Sequence, residues 1–120
     1  MNAHEIDYEI YGEEMQYVEI ELDPQEVVVA EAGSFMMMDS DIQMSTIFGD
    51  GSNQETGVLG KIFSAGKRML TGESLFMTAY LNVGQGKKQV SFASPYPGKI
   101  LPIDLSEKNG KFICQKDAFL

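Results

Sequence analysis

The chain lacks tryptophan, and its 120 residues hold one cysteine, one histidine and four prolines. A single cysteine, Cys114, excludes an intramolecular disulfide and suits a reducing compartment. A single histidine, His4, excludes the two- and three-imidazole metal centres that many β-sandwich oxygenases use. No run reaches the roughly 18 apolar residues a membrane span requires, and the N-terminal stretch is acidic where a secretory leader is basic. These absences lead us to expect a cytoplasmic protein with no direct membrane engagement and no metal. Basic residues are missing from the first half altogether. Residues 1–60 carry 14 acids and no Lys or Arg, whereas residues 61–120 carry nine bases against four acids. The net charge of −9 disfavours nucleic acid as a partner. The asymmetry suggests an acidic and a basic surface that meet between subunits, unless the two halves interleave and the charges mix in space.

What is present is β-pattern. Ile6, Tyr8 and Ile10 alternate with Asp7 and Glu9, and Val18, Ile20 and Leu22 alternate with Glu19 and Glu21. Together they predict an antiparallel hairpin with one wet and one dry face. Asp23-Pro24-Gln25-Glu26 reads as a turn with proline at its favoured second position. Residues 27–32 form a β-branched run expected to be buried on both faces. Gly33-Ser34 breaks it, and residues 35–38 continue as a strand or past a bulge. Ile42, Met44 and Thr46 alternate again, and Leu75, Met77, Ala79 and Leu81 oppose Phe76, Thr78 and Tyr80.

Between these lies a polar loop at residues 49–57. After it Leu59, Ile62, Phe63, Gly66 and Met69 fall at helical spacings, which predicts one short helix near 58–67. Val90 and Phe92 lead into Ser94-Pro95-Tyr96-Pro97-Gly98, a tight corner. A second strand is expected over residues 100–105, at an edge or bent by Pro102. Asn109-Gly110 is a hairpin signal, with a last strand predicted at residues 112–115. Eight or nine short strands and one helix argue for an all-β fold. The expectation is an antiparallel β-sandwich, or a double-stranded β-helix-like barrel, as one domain over residues 1–120. Residues 28–36 also echo residues 112–120: an apolar run, a polar break, then an aromatic and an aliphatic residue. The echo raises the possibility of a repeat.

Catalytic patterns fail one by one. Asp39, Asp41 and Gln43 resemble the start of a calcium loop, but Met44 replaces the obligatory glycine and no Glu stands at the twelfth position. They read as turn residues. Cys114 falls in a predicted strand with no imidazole base at hand, and a buried structural thiol is expected. Gly60 to Gly66 with Lys67 departs from a phosphate loop in spacing, and Arg68 stands where a hydroxyl must hold magnesium. Lys61, Lys67, Arg68, Lys87 and Lys88, with Phe76 and Tyr80 between them, have the composition of a single-strand-binding surface; solvated loop faces account for them more simply. The methionines, Met36-Met37-Met38 included, fit either core filling or an adaptable binding surface.

Several segments resemble the altered inheritance of mitochondria protein 24 family of unknown function. They are Glu31-Ala32-Gly33-Ser34-Phe35, Arg68-Met69-Leu70-Thr71-Gly72-Glu73-Ser74-Leu75-Phe76, the residues from Pro95 to Leu105, and Gln115-Lys116-Asp117-Ala118-Phe119-Leu120. The resemblance runs over nearly the whole chain. It implies a sandwich akin to the tryptophan RNA-binding attenuation protein, ring-like homo-oligomers, a link to mitochondrial biogenesis, and no catalytic residue. It also implies a length about twice this one, so that residues 1–120 correspond to a first repeat. The sequence nominates no catalytic, cofactor-binding or metal-ligating residue. It leads us to expect a non-enzymatic, self-associating scaffold or binding module. The alternatives are a small-ligand-binding domain with its site at a subunit interface or near residues 49–57, and, more remotely, RNA binding.

Overall fold

In the computed structural model the chain is described over residues 5–47 and 77–120. Seven strands form there: β1 (Asp7–Gly12), β2 (Gln16–Leu22), β3 (Val27–Glu31), β4 (Phe35–Met38), β5 (Ile42–Ile47), β6 (Met77–Asn82) and β7 (Lys88–Ala93). They build two antiparallel sheets, one ordered β1-β2-β7-β4 and the other β3-β6-β5. The all-β reading therefore holds. The polar loop at 49–57 and the helix expected near 58–67 lie outside the described residues.

The charge alternation of β1 and β2 forms the predicted hairpin, with Ile10 opposite Val18 and Tyr8 opposite Ile20. Its dry face joins Val90 and Phe92 of β7, Ala30 of β3, Ile42 of β5 and Tyr80 of β6 in one core. Ile6, Ile10, Val28, Ile100 and Leu120 pack at its border. In the sheet ordered β3-β6-β5 the central strand β6 is buried on both faces and β3 is buried or half-buried throughout, while β5 is exposed at Gln43, Met44 and Thr46. Val27, Ala79 and Leu81 make a second cluster on the side away from the main core. That is why β3 and β6 read as continuous apolar runs and not as alternating ones.

Short connections carry the chain back and forth between the sheets. The turn at residues 23–26 is closed by the Glu26 amide donating to the Asp23 carbonyl at 3.0 Å, with Gln25 at φ 68°. Proline followed by a residue with positive φ is type II geometry. The break at Gly33-Ser34 passes the chain from β3 to β4, and the register of β4 against β7 shifts between Phe35 and Met37. Of the two readings left open by the sequence, a strand or a bulge, residues 35–38 form a strand with an irregular register.

The turn between β6 and β7 is organised by Asn82, which is fully buried. Its side-chain nitrogen donates to the carbonyls of Leu22 and Gly86, each at 2.8 Å, and its oxygen accepts the Gly84 amide at 2.9 Å. Every polar atom of the side chain is thus used, which is the condition for burying an amide without penalty. At Gly84 a Cβ would stand 3.0 Å from the Asp41 side chain, so a larger residue there requires Asp41 to give way.

The C-terminal segment departs from expectation. No strand forms over residues 100–105 or 112–115. Pro102 lacks an amide hydrogen, and Asp104 caps a 3-10 turn at Leu105–Lys108 by accepting the Ser106 amide at 2.9 Å. Asn109 sits at φ 55° and Gly110 at φ 77°, and the Gly110 amide returns to the Leu105 carbonyl at 2.7 Å. The Asn-Gly pair supplies two consecutive positive φ angles, which a helix end uses as readily as a type I′ hairpin does. A second short 3-10 turn covers Lys116–Ala118. The echo between residues 28–36 and 112–120 is therefore one of sequence and not of structure. Cys114 belongs to this segment and is exposed, so the buried thiol expected from the sequence is corrected.

Candidate docking surface

Three surface regions stand out, and each follows from how the strands are placed. The first is the wet face of the hairpin. Asp7 lies opposite Glu21 and Glu9 opposite Glu19, so like charges face each other across the ladder. They border a shallow cleft of about 180 Å³ shared with Tyr8 and Gln89. Lys87 relieves part of the repulsion, reaching Glu21 at 3.0 Å and Asp23 at 3.7 Å. The Glu21 hydrogen bond, reinforced by both acids, raises the Lys87 pKa. At the far end of the hairpin Tyr11 stacks on Tyr17, its cross-strand neighbour, with centroids 5.1 Å apart. The Tyr11 hydroxyl donates to Glu9 at 2.8 Å. That bond is the main reason its pKa is pushed up to about 12.

The second region is the Pro-Tyr-Pro-Gly corner at residues 95–98. It clamps the β1–β2 turn. The Gly98 amide donates to the Glu14 carbonyl at 2.8 Å, and Lys99 Nζ to the Glu13 carbonyl at 2.6 Å. Gln16 completes the clamp, accepting the Ile100 amide at 2.7 Å while donating to the Gly12 carbonyl at 3.1 Å. These bonds join the corner to the β1–β2 turn.

The third region is the β4 edge. Among the described residues β4 ends its sheet, and all four of its residues are exposed: Phe35 41%, Met36 47%, Met37 48% and Met38 36%. Phe35 stacks on Tyr80, which in turn meets Phe92 edge-on, so the aromatic core runs out to solvent here. Burial raises the Tyr80 pKa, with a hydrogen bond to Thr78 acting against it. Met44 of β5, 45% exposed, stands directly opposite Tyr80 and shares its face. β4 and β5 lie in different sheets and are joined by the short turn at residues 39–41. They expose one aromatic and four methionines with no charge among them. The acids beside this strip are engaged: Asp39 accepts the Gln89 amide at 2.8 Å, and Asp41 pairs with Lys88 at 3.2 Å.

The residues tested for chemistry in the sequence are scattered. His4, Lys61, Lys67, Arg68 and Phe76 lie outside the described residues. Asp39 and Asp41 serve turns, as expected. Tyr80 is a core residue and cannot stack bases alongside Lys87 and Lys88. Among the described residues no group of three or more His, Cys, Asp or Glu side chains is placed to hold a metal ion. Among them too, no helix is long and apolar enough to cross a membrane. Sequence reasoning missed Asn82 and Gln16. A lone amide closing an apolar strand before Val-Gly-Gln-Gly was the available signal for Asn82. It also left open whether the methionines at 36–38 are core or surface. The signal there was four successive apolar residues with neither alternation nor β-branching, a pattern that fits an edge poorly buried on either face.

Comparison with known proteins gives two findings. The profile of the family described as Mitochondrial biogenesis AIM24 matches residues 8–120. A curated relative, an uncharacterized protein of Streptococcus pyogenes serotype M6, is 34% identical over 93 residues, covering 76% of this chain and 35% of its own length. The chain therefore spans about a third of the length of the curated relative it matches.

Proposed function

This chain belongs to the Mitochondrial biogenesis AIM24 family, and from that premise we propose that it is a non-enzymatic β-sandwich unit that associates with copies of itself along the β4 edge, as a scaffold or binding module. The observation that carries the reading is an exposed edge strand made only of Phe35, Met36, Met37 and Met38. Edge strands of monomeric proteins are ordinarily protected by charge, proline or a covering element, because their free backbone groups template pairing. β4 carries neither charge nor proline, and its row of side chains is apolar.

Electrostatics select a second copy as the occupant. A chain of net charge −9 repels its own kind over most of its surface. The β1 edge, where Asp7 and Glu9 already face Glu21 and Glu19, is the least suited to a second copy. The β4 edge is free of charge, and its flanking acids Asp39 and Asp41 are engaged within the subunit. Two copies meeting there bring the least unbalanced charge together. Sedimentation velocity at moderate and high salt tests the reading. Association that persists or strengthens with salt is expected of an apolar edge, and a monomer under both conditions overturns it. Met37→Lys places a charge at the middle of the strip and is expected to leave a folded monomer.

A further inference from the structure

Four thioethers stand on the two edges, Met36, Met37 and Met38 on both faces of β4 and Met44 on β5, all 36–48% exposed. Two other methionines act as internal references. Met77 in β6 is buried at 8% exposure, and Met15 is 63% exposed but sits at the β1–β2 turn, bridged to Gly98. Among the described residues the accessible thioethers thus concentrate on these uncharged edges, with one exposed methionine elsewhere; Met1 and Met69 lie outside the described residues. Leucine or isoleucine would make an equally apolar edge. Methionine alone among apolar residues converts reversibly to a polar group.

We propose that Met36, Met37, Met38 and Met44 form an oxidative modification site at which hydrogen peroxide switches the β4 edge from assembling to non-assembling. The inference rests on the self-association reading above. The sulfur lone pair attacks one peroxide oxygen, an S–O bond forms as the O–O bond breaks, and the departing hydroxide takes a proton from the transferred oxygen. One sulfoxide and one water result, with the sulfur oxidised by two electrons and the peroxide reduced by two. A sulfoxide is a strong acceptor without a donor of its own. Burying it between two apolar edges leaves it unpaired and opposes association.

The test uses the full chain carrying Cys114→Ser, so that peroxide cannot link copies through their exposed thiols. Peptide mass mapping after graded peroxide treatment is expected to show oxygen added at Met36, Met37, Met38 and Met44 well before Met77. Sedimentation of the same samples is expected to show self-association weakened about tenfold or more, the scale of one unpaired buried polar group. Treatment with a methionine sulfoxide reductase and a dithiol restores it. A variant with leucine at all four positions assembles and ignores peroxide, while Met15→Leu responds as the parent does. Dispersal that follows Met15 oxidation, or oxidised strip methionines in a protein that stays assembled, overturns the inference. Failure of the self-association reading is separately visible, as a monomer before any peroxide is added.

Discussion

Asn82 shows how much one side chain carries in this sandwich. It ties the end of β6 to the Leu22 carbonyl in β2 and closes its own turn through Gly84 and Gly86. Asn82→Ala leaves two carbonyls and one amide without partners at a fully buried position. A loss of roughly 2–4 kcal/mol is expected, measured by urea denaturation. A change below about 0.5 kcal/mol, the scale of an ordinary surface substitution, would show that water replaces all three bonds. Tyr11 gives a second residue-level expectation. Its hydroxyl is held protonated by Glu9, so ultraviolet titration should place it at about 12, above the ordinary 10.0. A raised pKa means the contribution to folding is complete below the ordinary tyrosine value and fades as pH rises through the raised one. Glu9→Gln removes the main cause, and Tyr11 should then titrate closer to its ordinary value.

At the scale of elements, the corner at residues 95–98 forms as the sequence predicts, while irregular chain and a 3-10 turn at Leu105–Lys108 stand where strands are expected over residues 100–105 and 112–115. Gln16 joins that corner to the hairpin. Gln16→Ala should cost about 1 kcal/mol and act locally. Hydrogen exchange at the Ile100 amide is expected to accelerate while the Val90 amide, in the core of β7, keeps its protection. Equal acceleration at both would make Gln16 a global determinant and not a clamp. Asp104 offers a pH handle on the following turn. The Ser106 hydroxyl and amide hold its pKa below the ordinary aspartate value. The cap is therefore at full strength above the ordinary value and weakens as pH falls through the lowered one. Carboxyl chemical shifts followed by NMR check this, and Ser106→Ala should move the titration upward.

For the whole molecule the charge pattern takes a different meaning from the one linear sequence suggests. Lys87 and Lys88 from the basic half meet Glu21, Asp23 and Asp41 of the acidic half within one subunit. These exposed pairs are individually weak, yet they show the halves interleaving. The split charge is thus used at least in part internally, and the uncharged β4 edge becomes the stronger argument for association. Met37→Lys against Glu19→Lys separates the two ideas. The first is expected to abolish assembly and the second to leave it intact, both read by sedimentation with circular dichroism confirming the fold.

Alternation, turn chemistry and composition by themselves determined that this protein is β-rich, that β1 and β2 pair as a hairpin, that residues 23–26 turn on proline, and that the chain breaks at Gly33-Ser34. Each is a local property, written in side chains two to four residues apart. Tertiary structure alone decided which sheet each strand joins, because period-two alternation names a face but never a neighbour. It also decided that Leu101, Ile103 and Leu105 are exposed outside any sheet, since an alternating run becomes a strand only where an edge accepts its hydrogen bonds. The methionines follow the same rule. In sequence they are apolar residues awaiting a core. Their place at the last strand of a sheet turns them outward, and burial is what separates a core filler from a contact surface.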